Sequence, residues 1–209
     1  MNSLNKISKR MMDIILALCL LAVTSPLLFI TAILIKLEDG GKVIFRQTRT
    51  GRNGVPFTIY KFRTMRENHG VKAVSDQNLA TFEGGVPDHF VYKCTDQQSV
   101  AISKMGHILR KYSIDELPQI MNILIGNMSF VGPRPELTDI TKYYSDYQLK
   151  RLEVKPGLTG LAQINGRSNI TNGEKIDYDI TYVKQCSIKL DVSICWKTFI
   201  YVISGKDAV

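Results

Sequence analysis

Two adjacent carboxylates, Asp115 and Glu116, stand in the stretch Ser113-Ile114-Asp115-Glu116-Leu117-Pro118-Gln119, between basic and Gly/Pro-rich segments. The stretch reads as a helix start, where unpaired N–H groups and a positive dipole end favour acidic side chains. Ser113 followed three residues later by Glu116 is a capping box, and Pro118 falls at the edge of the first turn, where its missing N–H costs little. Capping accounts for Glu116 and leaves Asp115 without a local structural duty. The surrounding cations point to chemistry on an anion. Lys61 and Arg63 lie two residues apart, and Arg134 sits between two prolines in Gly132-Pro133-Arg134-Pro135. Those prolines restrict the backbone and so fix where the guanidinium points. Arg is the residue suited to forked recognition of phosphate.

The elements that must position these groups begin with Gly40 to Met65. Apolar and polar residues alternate there around a turn at Gly51-Arg52-Asn53-Gly54, which predicts a hairpin of two short strands. On strand spacing Lys61 and Arg63 share one face, either a solvated basic face or an anion-binding one. Residues 67–92 are polar and weakly patterned, as in a variable or mobile loop. A helical pattern from Val100 ends at Arg110-Lys111 and delivers the chain to the dyad. After it, Ile120, Met121, Ile123 and Leu124 mark an apolar helix face that Gly126 closes. A second rigid turn, Lys155-Pro156-Gly157-Leu158-Thr159-Gly160, precedes Gly166-Arg167. Leu190 to Ile203, with Trp196, Phe199 and Tyr201, predicts either a core helix or one at a membrane interface, and could support a homodimer.

The first third of the chain has a different character. The 209 residues suffice for one core and a membrane element. Residues 1–66 hold 11 of the 27 Lys and Arg but only 3 of the 19 Asp and Glu, so the net charge of +8 lies there. An apolar run from Ile14 to Ile35 would reach roughly 33 Å as one helix, enough to cross the hydrocarbon layer. It is too long for a signal peptide, and no small-residue cleavage site follows. Basic residues flank both ends, which draws both to the cytoplasmic face. Ser25-Pro26 lies at the midpoint, where Pro removes an N–H and a Ser side chain can re-satisfy the freed carbonyl. A helix that breaks there and re-enters the same face fits both facts; a straight span is the alternative. The expected architecture is α+β and mostly helical: a re-entrant helix-break-helix over 1–39, then a small cytosolic catalytic domain over 40–209 with a short hairpin and amphipathic interfacial helices.

The cysteines lack C-x-x-C spacing and the histidines are scattered, so neither a zinc site nor a disulfide framework is expected. The pI near 9.3 invites a nucleic-acid reading. However, the excess charge flanks an apolar anchor and the remaining two-thirds is balanced, so no nucleic acid is expected.

The order Lys9-Arg10-x-x-Asp13, Ser25-Pro26, Phe45-Arg46-Gln47, Val55-Pro56-Phe57, Lys61-Phe62-Arg63-Thr64-Met65, Asp115-Glu116-Leu117-Pro118-Gln119, Gly132-Pro133-Arg134-Pro135, Lys155 to Gly160 and Gly166-Arg167 resembles the bacterial sugar transferases, small monotopic phosphoglycosyl transferases. The resemblance implies an enzyme at the cytoplasmic face of the bacterial inner membrane. It would transfer a sugar-1-phosphate from a UDP-sugar to undecaprenyl phosphate, releasing UMP and starting a capsule, O-antigen, exopolysaccharide or glycan for downstream glycosyltransferases. It further implies Mg²⁺ and a two-step route through a phosphosugar carried on Asp115, with Glu116 facing the metal. Arg134 and Arg167 would bind phosphate or uridine groups, and Lys61 and Arg63 are further substrate-binding candidates. Lys9, Arg10 and Asp13 would belong to the membrane anchor, with Ser25 and Pro26 at its break. A carboxylate attacking a diphosphate of like charge needs such cations. Asn127, where an Asp is common, and Asn172-Gly173, in place of a Trp and an acid, depart from the pattern. A non-catalytic membrane-anchored scaffold of a polysaccharide assembly complex is the competing reading. It leaves Asp115, Arg134 and Arg167 without a reason to occupy rigid turns.

Overall fold

The computed structural model describes residues 3–65, 82, 84–90, 102–166 and 170–204. Most of the loop expected over 67–92 therefore lies outside the described residues. Among the described residues the chain is mostly helical with two small sheets. Helix α1 (Ser3–Asp39) leads into the hairpin β1 (Ile44–Thr50) and β2 (Pro56–Phe62). Helix α2 (Lys104–Lys111) then hands the chain to a 3-10 turn (Ile114–Gln119) that runs directly into α3 (Ile120–Ile125). Strand β3 (Ser129–Val131) is followed by short α4 (Thr138–Thr141) and α5 (Asp146–Leu149), then β4 (Gly157–Thr159) and α6 (Leu161–Asn165). Helices α7 (Asn172–Gln185) and α8 (Ile188–Ser204) complete it.

The expected hairpin forms, antiparallel from Ile44 opposite Phe62 to Thr50 opposite Pro56. Its turn uses positive φ at Asn53 and Gly54, the residue types that tolerate it. Gly126 closes α3 at φ 100, as its sequence position predicts. β3 and β4 pair in parallel, and this brings the two Gly/Pro turns together. Gly132 lies so close to the Lys155 carbonyl and the Gly157 amide that neither glycine has room for a side chain.

Helix α1 is continuous through Ser25 and Pro26, not divided into two elements. Pro26 cannot donate to the Ala22 carbonyl. The Ser25 hydroxyl does so instead at 2.9 Å, and Thr24 returns to Leu20 at 2.7 Å. Both halves of the helix pack on the rest of the chain. Ala17, Leu20 and Leu21 join the main core of Ile120, Ile123, Met128, Val131, Tyr182 and Ile194. Leu28, Ala32 and Ile35 pack on Phe62 and Leu109. The other side of the helix is bare: Val23 and Phe29 are 79% and 69% exposed. The span from Asn5 to Glu38 is long and apolar enough to cross a membrane.

Lys9, Arg10 and Asp13 turn inward and fasten this helix to the domain. Asp13 is buried and accepts from the Ser129 hydroxyl and the Phe130 amide. Lys9 pairs with Asp191 at 2.6 Å and donates to Tyr182 and the Val131 carbonyl. Arg10 donates to the carbonyls of Ile123 and Leu124, the end of a helix where a cation is favoured.

Candidate active site

The capping box expected from Ser113 and Glu116 does not form. Ser113 takes left-handed φ 54, ψ 23, and its side chain caps nothing. The acids therefore emerge on a tight 3-10 turn instead of an α-helical first turn. Glu116 spends its carboxylate on two cations from distant segments. Oε1 accepts from Lys61 Nζ and from Arg134 Nη2, both at 2.7 Å. Charge-assisted bonds of this kind outweigh a neutral cap.

Lys61 reaches Glu116 because β2 is fixed against α3 by one side chain. Asn122, fully buried, accepts from the Tyr60 amide at 3.1 Å and donates to the Thr58 carbonyl at 2.7 Å. Arg134 reaches it from a loop whose backbone is tied on both sides. The Pro133 carbonyl accepts from the Gly157 amide, that of Pro135 from Arg49, and that of Glu136 from the Thr50 amide. On the third side, α2 packs its Gly106 against the Thr64 backbone and brings Arg110 near Asp115, with Arg110 bonded to the Thr64 hydroxyl.

Asp115 differs from its neighbour in every respect. It is 9% exposed, and its carboxylate makes no hydrogen bond or ion pair among the described residues. Burial, and then the Glu116 charge, raise its carboxyl to about 6, against the pull of Lys61, Arg134 and Arg110. For Glu116, burial alone would raise the pKa, yet Arg134 and Lys61 hold it well below the ordinary carboxylate range. Burial lowers the Lys61 ammonium, partly offset by Glu116. The Glu116 charge raises Arg134 further, so it stays a cation at any working pH. The pair thus divides into a clamped, permanently ionised Glu116 and an open Asp115 that is mostly ionised at neutral pH.

The remaining candidates are placed differently. Arg63 is buried, its guanidinium filling the space over Gly41. Arg167 lies outside the described residues. Asn172 and Gly173 dock the Pro87-Asp88 segment: the Gly173 amide donates to the Asp88 carbonyl, and Asn172 to that of Pro87. Glu174 closes a capping box with Thr171. Asn122 escaped the sequence reading, its only sign being a polar residue between apolar Met121 and Ile123. An apolar cavity of about 370 Å³ lies between α1 and the 3-10 turn, lined by Leu21, Leu28, Phe29, Phe62, Leu117 and Pro118 among others.

Residues 4–205 match the family described as "Bacterial sugar transferase". The chain belongs to the bacterial sugar transferase family. Over 188 residues the transferase is 43% identical to the "uncharacterized sugar transferase EpsL" of Bacillus subtilis (strain 168), covering 90% of this chain and 83% of that one. It is 38% identical over 195 residues to the "exopolysaccharide production protein ExoY" of Sinorhizobium fredii, covering 92% and 84%. It is 35% identical to the "UDP-glucose:undecaprenyl-phosphate glucose-1-phosphate transferase" of Escherichia coli (strain K12), spanning 95% of this chain but 40% of that longer protein. In the transferase, the shared family region contains Asp115, Glu116, Lys61 and Arg134 together.

Proposed function

We propose that the chain transfers a sugar-1-phosphate from a UDP-sugar to undecaprenyl phosphate at the cytoplasmic face of the bacterial inner membrane, beginning a surface polysaccharide or glycan. The observation that carries the reading is the contrast at the dyad: an open, buried carboxylate beside one held by Lys61 and Arg134. A nucleophile must be free to attack, and the charge of an incoming diphosphate must be met. In the first step an Asp115 oxygen attacks the sugar-bearing phosphorus. The bond from Asp115 oxygen to phosphorus forms, the bridging P–O bond breaks, and its electron pair leaves on UMP. In the second step the acceptor phosphate oxygen attacks the same phosphorus. This frees the Asp115 carboxylate and gives the lipid diphosphate-sugar.

Arg134, half exposed at the mouth, meets the phosphates, while Lys61 and Glu116 hold the cationic face in place. No group of three or more His, Cys, Asp or Glu able to hold a metal occurs among the described residues. A carboxylate is nonetheless a fitting donor for Mg²⁺, which is commonly bound by one or two carboxylates plus substrate phosphates. Glu116 would hold it through Oε2, the oxygen that Lys61 does not take, leaving Asp115 free to attack, and it would supply neutralisation of diphosphate charge. The apolar cavity shares Leu117 and Pro118 with the turn that carries Asp115, which suits a prenyl chain lying along α1 with its phosphate at the acid. The bare side of α1 sits in lipid, with both ends of the helix kept at the same face.

The test is UMP release by the purified full chain with Mg²⁺, undecaprenyl phosphate and a panel of UDP-sugars. One or a few donors are expected to turn over, and Asp115→Asn to reduce release by about 10³-fold or more, as loss of a covalent nucleophile does. Turnover retained in that variant would remove Asp115 from the role.

A further inference from the structure

The loop that presents Arg134 has an unusual property. The amide joining Arg134 to Pro135 has no N–H, so the structure can orient that peptide only through its oxygen. That oxygen accepts from Arg151 Nη2 at 3.0 Å. Arg151 is 5% exposed, and each of its three guanidinium nitrogens has a partner. Nε and Nη2 go to Asp179 Oδ2 at 2.9 and 2.6 Å, and Nη1 goes to the Tyr144 hydroxyl at 2.6 Å. Asp179 is 1% exposed. A buried ion pair is a poor device for stability alone, since apolar residues of equal volume often do as well. A planar fork held by two fixed partners does, however, direct its second Nη2–H with little freedom.

We infer that Arg151, held by Asp179 and Tyr144, is a positioning residue for Arg134, fixing the Arg134-Pro135 peptide so that the Arg134 guanidinium faces Glu116 and the substrate phosphates. The two prolines restrict φ, and Arg151 removes the remaining freedom of the carbonyl. Arg151 itself touches no substrate; it acts through Arg134. The inference rests on the proposed reaction only in assigning phosphates to Arg134.

A double-mutant cycle on the full chain in detergent micelles tests it, with calorimetric binding of inorganic pyrophosphate as the primary measurement and UMP release as the second. Arg151→Lys keeps the charge but loses the fork, and is expected to weaken pyrophosphate binding and kcat/KM about 10-fold or more. In an Arg134→Gln background the same change is expected to add less than about 2-fold, because the group it positions is gone. Tyr144→Phe removes one hold on Arg151 with little change in packing. It is expected to show a smaller loss with the same coupling, and it decides the matter if Arg151→Lys does not fold. Equal losses in both backgrounds would overturn the inference and assign Arg151 to fold stability. So would wild-type binding in Arg151→Lys, or no pyrophosphate binding by the wild type. If the wild type binds pyrophosphate but no UDP-sugar yields UMP, the proposed reaction fails while the cycle still decides the positioning role.

Discussion

Asp115 and Glu116 share a turn but carry opposite linkage between charge and stability. The folded Asp115 binds its proton up to about pH 6, whereas an unfolded aspartate releases it near 3.8. Between those values the folded state holds more protons, so this residue's contribution to stability falls as pH rises. At pH 7 the ionised form in the folded state is a net cost to stability. Asp115→Asn, measured without divalent cations, is therefore expected to raise the melting temperature at pH 7.5, with the gain shrinking as pH falls through 6. Glu116 behaves the other way, because its folded pKa is depressed. Its stabilisation is full above the unfolded value of 4.5 and is lost as pH falls below it. Glu116→Gln is expected to lower the melting temperature at pH 7.5 by leaving Lys61 and Arg134 without their counter-charge. Paired melting curves of the two variants should move in opposite directions.

At the scale of elements, the site depends on how β2, the 3-10 turn and the Arg134 loop are tied together. Asn122→Ala removes both bonds to β2, at about 0.5–1.5 kcal/mol each. The variant is expected to unfold earlier in a thermal melt and to lose UMP release as Lys61 loses its alignment. Gly132→Ala forces a side chain against the Lys155 carbonyl and is expected to abolish folding or activity, whereas Gly54→Ala, with open space around it, is expected to show only the modest strain of its positive φ. These elements were unevenly legible in the sequence. The hairpin and the Gly126 helix stop follow from local alternation and glycine geometry, so sequence reading finds them. The capping box was misread because Ser113 and Glu116 fit it locally, while the cations that claim Glu116 lie 55 and 18 residues away. Asn122 and Arg151 act through contacts of the same long-range kind. Nothing in their own neighbourhoods announces a partner.

At the scale of the whole molecule, one long apolar helix packs both halves onto the domain and leaves its other side bare, with Pro26 accommodated by the Ser25 hydroxyl instead of ending the helix. Lys9 and Arg10, expected to belong to the membrane anchor, bond this helix to the domain. The topology is read by labelling Asn5→Cys and Lys42→Cys, each in a background with the native cysteines replaced, in sealed inner-membrane vesicles. Re-entry predicts that both positions react from the same side, and opposite sides would reject it. The central claim concerns chemistry at Asp115, and the most direct measurement is mass spectrometry of the protein after mixing with Mg²⁺ and a turned-over UDP-sugar, with no lipid acceptor. The account predicts up to one equivalent of UMP and a sugar-phosphate mass added on the peptide carrying Asp115, absent in Asp115→Asn and discharged by undecaprenyl phosphate. UMP release that strictly requires the acceptor, with no adduct at any time, would contradict it.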